Sequence, residues 1–501
     1  AENPASGILS LFNRLICYLS IQNRKIRTVL CGNEEKMILL TSDGITSPQL
    51  EEEIKKALVP ISRRAALVTT ASCRYKEKDH NVPILSALMR RFGLEPECVD
   101  VEFQDATFLL AYDVVILMGG NPFYLRKHLK KWKNSLEVLT ELANRHVLIG
   151  ISAGSMVLGD TMEFACQIEP GGIEEVGENV DCSGFGIVPL NIMPHYLAYL
   201  TAYEQTKEIL ESYEEETGRK ICTINDGDGI IISQAGKKGR YIKDERYTPI
   251  VAPDMAENQA YFFDLYGTLI DIHTEEGDHE LWEFMAKYYA YKGAKYGSWE
   301  LRWRYGALIH DEEERLLHEN PKQIPEPQVE RVFMRLYEEK GVRVSIQEAV
   351  DAAQVFRSFS LRYVRLYYGA KELLAHLKKK DKKLYVLSNA QQVFTASELR
   401  YLGIYDYFDK VCLSSDYHCK KPDAAYFKAL LTSEGLDPAK VMMIGNSEYD
   451  DIRTAKALGM GACYIHSNLS PEGETANCDI VMRAMDLPSL EKILCREAHL
   501  A

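Results

Sequence analysis

The sequence predicts an α/β protein built on two doubly wound parallel sheets, the second of them carrying a helical cap insertion. Three observations carry that expectation. Short apolar runs alternate with longer segments of helical periodicity from Met37 to about Ile250, the pattern of a parallel sheet covered by helices on both faces. The alternation stops at Tyr247-Thr-Pro-Ile-Val-Ala-Pro-Asp254, and a new apolar strand begins at Ala260. A chain of 501 residues is also too long for a single core.

In chain order, residues 1–36 precede the first clean strand, Met37-Ile-Leu-Leu-Thr-Ser-Asp-Gly44, and are read as an extension outside the first domain. Asn13 and Arg14 interrupt the run from Ile8 to Ile21 and no small-residue cleavage site follows it. That run is therefore expected to be an amphipathic helix, neither a signal peptide nor a membrane span. The first domain, 37–250, has candidate strands at Ile38–Leu40, Ala65–Thr69, Cys98–Val101, Val114–Met118 and Val147–Ile151. Between them Pro48–Leu58, Pro83–Phe92 and Phe123–Ala143 repeat apolar residues at three- and four-residue spacing, as helices do. Residues 251–258 read as a linker, since prolines and no periodicity mark the stretch. The start-like Met255 within it suggests a gene fusion. The second domain, 259–501, opens on the strand that ends at Asp264, and its stretch from about 278 to 380 is helical in pattern, of a size suited to a cap.

In sheets of this kind ligands bind at the carboxyl ends of the strands. The run Val147–Ile151 ends in Gly150-Ile-Ser152-Ala-Gly154. This is the G-x-S-x-G spacing of a nucleophile elbow, where a strand turns sharply into a helix and flanking glycines permit a strained backbone that exposes the hydroxyl. A glycine- and serine-rich turn without chemistry is the bland alternative for the pentapeptide alone. The preceding strand runs into Gly119-Gly120-Asn121-Pro122-Phe123. Further on, an apolar segment from Gly186 ends at His195, and Ile221–Ile232 looks like a hairpin with Asp226 and Asp228 at its tip.

As an ordered set, these motifs resemble peptidase family S51, the group of aspartyl dipeptidase and cyanophycinase. The resemblance covers about Met37 to Ile250 and implies a flavodoxin-like fold related to class I glutamine amidotransferases. Those enzymes carry cysteine where this chain has Ser152, which points to the peptidase branch. A serine hydroxyl is a weak nucleophile without an adjacent base held by a carboxylate. Ser152 is therefore expected to attack, His195 to carry the proton and Asp226 to orient the imidazole, with Asp228 as the second choice. The N–H groups of Ala153 and of Gly119 or Gly120 would form the oxyanion hole. This dipeptidase-like chemistry needs no cofactor. Pro122 stands where threonine often follows Gly-Gly-Asn in the family.

The second half carries Phe263-Asp264-Leu-Tyr266-Gly-Thr, then Leu384-Tyr-Val-Leu-Ser388-Asn389, then Lys421-Pro-Asp423, then Gly445-Asn446-Ser-Glu-Tyr-Asp450-Asp451. These resemble, in order, the four motifs of the haloacid dehalogenase superfamily, which implies a Rossmann-like core. Carried over by position, Asp264 is the nucleophile, Ser388 and Lys421 hold the transferred group, and Asp451 with Asn446 orients Lys421 or, together with Asp264, binds Mg²⁺. Two departures stand out. Phosphatases of the superfamily usually have a second Asp where this chain has Tyr266, and Gly-Asp where it has Gly445-Asn446. A weak small-molecule phosphatase is the first reading, a 2-haloacid dehalogenase the second, and a catalytically inactive domain the third.

The net charge of -14 and the lack of a dense Lys/Arg run argue against nucleic acid, whose phosphates require a basic face. The 12 cysteines are scattered with no C-x-x-C pair, so reduced thiols in a cytoplasmic protein are expected. The expected partners are a small peptide and a small phosphorylated or halogenated metabolite, with neither nucleic acid nor membrane. The rival reading is a regulatory or binding fusion that keeps both pockets and turns over nothing.

Overall fold

The computed structural model describes residues 37–58, 63–169, 171–177, 180–233, 239–252, 258–471 and 473–495. The expected N-terminal extension and residues 253–257 of the expected linker lie outside these residues. The chain divides after Arg246 into two compact units. Among the described residues no helix is long and apolar enough to cross a membrane.

The first unit is built on a seven-stranded sheet. Its parallel part runs β3 (Glu95–Val99), β2 (Arg64–Val68), β4 (Val114–Leu117), β5 (Val147–Ile151) and β1 (Met37–Thr41). Alternation of side chains across these strands feeds two cores. Ile38, Leu40, Ala66, Val68, Val115 and Leu117 enter one, whereas Met37, Leu39, Ala65, Leu67, Val114 and Ile116 enter the other. A strand buried on both faces must be apolar at every position, which is why these runs are so legible. β6 (Asn191–Met193) and β7 (Ile221–Thr223) pair in parallel as a separate ribbon, while β8 (Gly229–Ser233) and β9 (Gly239–Ile242) extend the main sheet antiparallel.

Two local expectations change. β7 and β8 are not a hairpin, because β8 pairs with β1 and β7 with β6. Gly227, at φ +85°, turns the chain between them. The helical stretch after Phe123 is two helices, Pro122–Lys130 and Ser135–Arg145.

The second unit has its own seven-stranded sheet, ordered β10 (Ile250–Val251), β18 (Ile480–Met482), β17 (Gly461–Ile465), β16 (Val441–Gly445), β11 (Ala260–Phe263), β14 (Lys383–Ser388) and β15 (Lys410–Leu413). All neighbours are parallel except β10, which pairs antiparallel with β18. Ile250 and Val251 therefore belong to this sheet, although a two-residue edge strand beside prolines leaves no periodicity to read. The insertion after β11 holds helices His279–Tyr291, Ser298–Glu319, Val329–Glu338 and Ile346–Ser360 around a core of Trp282, Tyr289, Phe333 and Phe356. It is shorter than expected. Residues 361–366 form β13, which pairs with β12 (Ile270–Thr274), and helix Ala370–Lys379 packs Leu373, Leu374 and Leu377 into the core of the sheet. Helical periodicity alone does not reveal which core a helix faces.

Candidate active sites

The elbow in the first unit is built by what its glycines permit. Ser152 sits at φ 48° and ψ -108°, a region that costs a non-glycine residue about 1–3 kcal/mol. A Cβ on Gly154 would lie 2.1 Å from Leu117 O, and one on Gly150 would lie 2.7 Å from Ser155 N. Neither neighbour is a flexible side-chain tip, so both positions require glycine. Ser155 serves the same turn, its buried Oγ accepting from Thr41 N–H at 3.0 Å and lying 2.7 Å from Gly150 O. The second serine is a structural bridge to β1.

Ser152 Oγ lies 3.0 Å from His195 Nε2, and His195 Nδ1 lies 2.6 Å from Asp226 Oδ1. With Nδ1 protonated towards Asp226, Nε2 is free to accept the serine proton. Asp228, the alternative third member, is engaged elsewhere: it accepts from Tyr241 Oη at 2.6 Å and Asp244 N–H at 2.7 Å. Desolvation works against the charge on His195, but the hydrogen bond and charge of Asp226, with Asp43 behind, outweigh it and raise the imidazole pKa above its ordinary 6.5. Crowding likewise opposes ionisation of Asp226, yet His195 and the Ser42 hydroxyl hold its carboxyl below the ordinary value.

Ser42 and Asp43 lie outside the motifs but belong to this cluster. Ser42 Oγ donates to Asp226 Oδ1 at 2.6 Å and accepts from His195 N–H at 2.7 Å, joining two members of the candidate triad. Asp43 accepts from Gly227 N–H at 2.8 Å and fixes the turn that carries Asp226. Their signal was positional, a polar pair just past the carboxyl end of β1.

Ala153 opens the helix Ala153–Leu158, where its N–H has no intrahelical acceptor. Gly119 lies against the serine, since a Cβ there would sit 3.4 Å from Ser152 Cβ. Gly120, at φ +131°, packs so closely on Ala71 that a Cβ would stand 2.3 Å from its carbonyl oxygen. A cavity of about 290 Å³ adjoins Ser152, lined among others by Phe123, Ile168, Glu169, Glu175 and Tyr199. Tyr199 Oη donates to Glu169 at 2.6 Å, and Glu175 pairs with Arg74 at 2.6 Å. The lining residues include no Lys, Arg or His.

In the second unit Asp264 follows β11 and is buried. Its Oδ1 accepts from Lys421 Nζ at 2.6 Å and Ser388 Oγ at 3.0 Å. Lys421 Nζ also donates to Asp451 Oδ1 at 2.5 Å, and Asp451 Oδ2 accepts from Ser447 N–H at 3.1 Å. Burial disfavours the Lys421 ammonium, but the Asp264 and Asp451 charges hold its pKa above the ordinary value. Burial pushes Asp451 up; Lys421 opposes that and the Asp264 charge adds to it. Each Asp451 oxygen accepts one of these hydrogen bonds, and the contact with Lys421 fits the orienting role of the two expected for it.

Among the described residues Asp264 Oδ2 has only a 3.3 Å contact from Thr268 Oγ1, and Asn446 Oδ1 only a 3.5 Å contact from the same hydroxyl. Asn446 lies over Gly267, where a Cβ would stand 2.3 Å from Asn446 Nδ2. Among the described residues no group of three or more His, Cys, Asp or Glu could hold a metal. Asp264 with Asn446 nevertheless suits Mg²⁺, which takes oxygen ligands, often one or two carboxylates, and keeps several waters. Tyr266 is turned to another task. Its hydroxyl donates to Glu398 at 2.5 Å and lies 3.0 Å from Thr395 Oγ1, while Glu398 accepts from Arg357 at 2.7 Å. Burial and the Glu398 charge raise the phenol pKa well above 10, away from the range of a general acid.

Comparison with known proteins agrees with this division. Residues 37–238 match the profile of Peptidase family S51, and residues 259–459 that of haloacid dehalogenase-like hydrolase. Both halves carry domains of hydrolase families. A phosphoserine phosphatase of Thermus thermophilus is 29% identical over 151 residues, 30% of this chain and 59% of the relative. A phosphoglycolate phosphatase of Pectobacterium atrosepticum is 34% identical over 123 residues, 24% of this chain and 52% of the relative. The chain spans about half to three-fifths of the length of these two curated relatives. A solved HAD phosphatase from Thermococcus onnurineus aligns with 47% of this chain and 97% of its own at 21% identity and a TM-score of 0.32.

Proposed function

We propose that the chain is a bifunctional hydrolase, a serine peptidase for small peptides joined to an aspartate-nucleophile phosphatase for a small phosphorylated metabolite. For the first half the reading rests on the unbroken line from Ser152 Oγ through His195 to Asp226. His195 Nε2 takes the serine proton as Oγ bonds to the scissile carbonyl carbon. The N–H groups of Ala153 and of Gly119 or Gly120 would donate to the oxyanion. His195 then returns the proton to the departing amine, and a water molecule repeats the cycle on the acyl-enzyme.

Neutral His195 is the working base, so activity is lost as pH falls through its pKa. Because Asp226 raises that pKa, the acid limb of kcat/KM is expected above pH 6.5. Asp226→Asn should move the limb down and cost about 10⁴-fold in kcat. A wild-type limb below the ordinary histidine value would contradict the assignment.

The cavity suggests the substrate. Its size is at the lower end of small-ligand pockets, and of its two carboxylates Glu175 is paired with Arg74 whereas Glu169 meets no cation among the lining residues. A peptide's free amino terminus or a basic side chain belongs beside Glu169. Kinetics on a dipeptide panel should favour Lys or Arg over Asp at the N-terminal position. Glu169→Gln should lower kcat/KM for the cationic substrates about 10- to 100-fold, the worth of a hydrogen bond to a charged group. Preference for an N-terminal Asp would sink this part.

For the second half the phosphatase relatives and the Asp264–Lys421–Ser388 cluster support phosphoryl transfer. Asp264 attacks phosphorus, Lys421 and Ser388 hold the phosphoryl oxygens, and water hydrolyses the aspartyl phosphate. Mg²⁺ held by Asp264 and Asn446 would screen the repulsion between carboxylate and phosphate.

A further inference from the structure

The segment from Thr161 to Ser183 closes on itself in a way that the triad does not use. Thr161 and Ser183 form an antiparallel bridge, and Met162 N–H donates to Cys182 O at 2.7 Å. These bonds seat the start of helix Glu163–Ile168 beside Cys182. Cys166 is one helical turn beyond Met162, and its Sγ lies 2.7 Å from Cys182 Sγ. Both residues are half-buried. Between them in sequence lie Ile168, Glu169, Gly171, Gly172 and Glu175, five residues that line the cavity beside Ser152.

We propose that Cys166 and Cys182 form a reversible disulfide that fixes the cavity loop of the first unit. The oxidant is a small disulfide such as oxidised glutathione. One cysteine thiolate attacks it, forming a mixed disulfide and expelling one glutathione thiolate. The second cysteine thiolate attacks the protein sulfur of that mixed disulfide, closing the Cys166–Cys182 bond and expelling the second glutathione. Two protein thiols are oxidised and one small disulfide is reduced to two thiols. Burial and the neighbouring sulfur raise the Cys166 thiol pKa, which slows spontaneous reaction and keeps the pair reduced until oxidant is abundant. Cross-linking the two ends lowers the freedom of the loop between them. A loop ordered in advance binds more tightly because less ordering remains for the substrate to impose.

The test equilibrates the full chain with oxidised glutathione, alkylates free thiols under denaturing conditions and maps peptides by mass. The expected result is a linked Cys166–Cys182 peptide, reversed by dithiothreitol and absent from Cys166→Ser and Cys182→Ser. Recovery of both residues only as alkylated or glutathionylated cysteine, at an oxidant level that modifies the exposed Cys98, would overturn the proposal. Hydrogen exchange over 171–177 should slow on oxidation in the wild type and not in Cys166→Ser; unchanged exchange with the bond present would refute the loop-fixing role. Resting on the peptidase reading, KM for a cationic dipeptide should fall severalfold on oxidation with kcat unchanged. Absence of peptidase activity in every sample would count against that reading alone, since peptide mapping and exchange decide the disulfide without it.

Discussion

Ser152→Ala is expected to lower kcat for dipeptide hydrolysis by about a million-fold, the scale of loss when the nucleophile of a triad is removed. The change deletes the hydroxyl that touches His195 Nε2 and leaves the glycines that shape the elbow. Stability should therefore change by less than about 1 kcal/mol. Ser155→Ala is the control. It removes a buried bridge between Thr41 and Gly150 and should cost about 1–3 kcal/mol of stability, while the folded fraction keeps its activity. A fluorophosphonate probe should label the wild type at Ser152 and fail to label Ser152→Ala. Turnover retained in Ser152→Ala and lost in Ser155→Ala would reverse the assignment. A wild-type protein that resists the probe and turns over no peptide would favour the rival reading, a pocket that binds without catalysis.

Asp264→Asn is expected to remove phosphatase turnover, by about 10⁴-fold or more if nucleophile loss here resembles that in other covalent catalysts. Activity in the wild type should require Mg²⁺, because without it the Asp264 carboxylate meets an anionic phosphate with Lys421 as its one close cation among the described residues. The state of Tyr266 adds a second expectation. Its hydroxyl is committed to Glu398 and its pKa is raised, so it offers no ready proton to a leaving alkoxide. Phosphates of acidic leaving groups, such as aryl or acyl phosphates, should be hydrolysed much faster than simple alkyl phosphates. Equal rates across that series would reveal an acid elsewhere in the site. Metal-independent halide release from a 2-haloacid, lost in Asp264→Asn, would move the second half to the dehalogenase reading.

The sequence by itself determined the two α/β folds and named most of the groups that the proposed sites use. Strands such as Met37–Thr41 and Ala260–Phe263 are apolar at nearly every position because both faces of each sheet are covered. The proposed nucleophiles were legible for a local reason: Gly150, Gly154 and Gly267 each stand where a Cβ would strike a neighbour, so short motifs carry the constraint. Tertiary structure decided what depends on distant segments meeting. Asp226 and Asp228 are two residues apart and chemically alike, and only the separate pairing of β7 and β8 turns one to His195 and the other to Tyr241 and Asp244. Ser42 reaches Asp226 across 184 positions, beyond any local pattern. The split of the helical stretch between cap and core, and the diversion of Tyr266 to Glu398, were likewise invisible in periodicity. Each depends on which surface a side chain meets after folding, and spacing along the chain encodes only which face it leaves from.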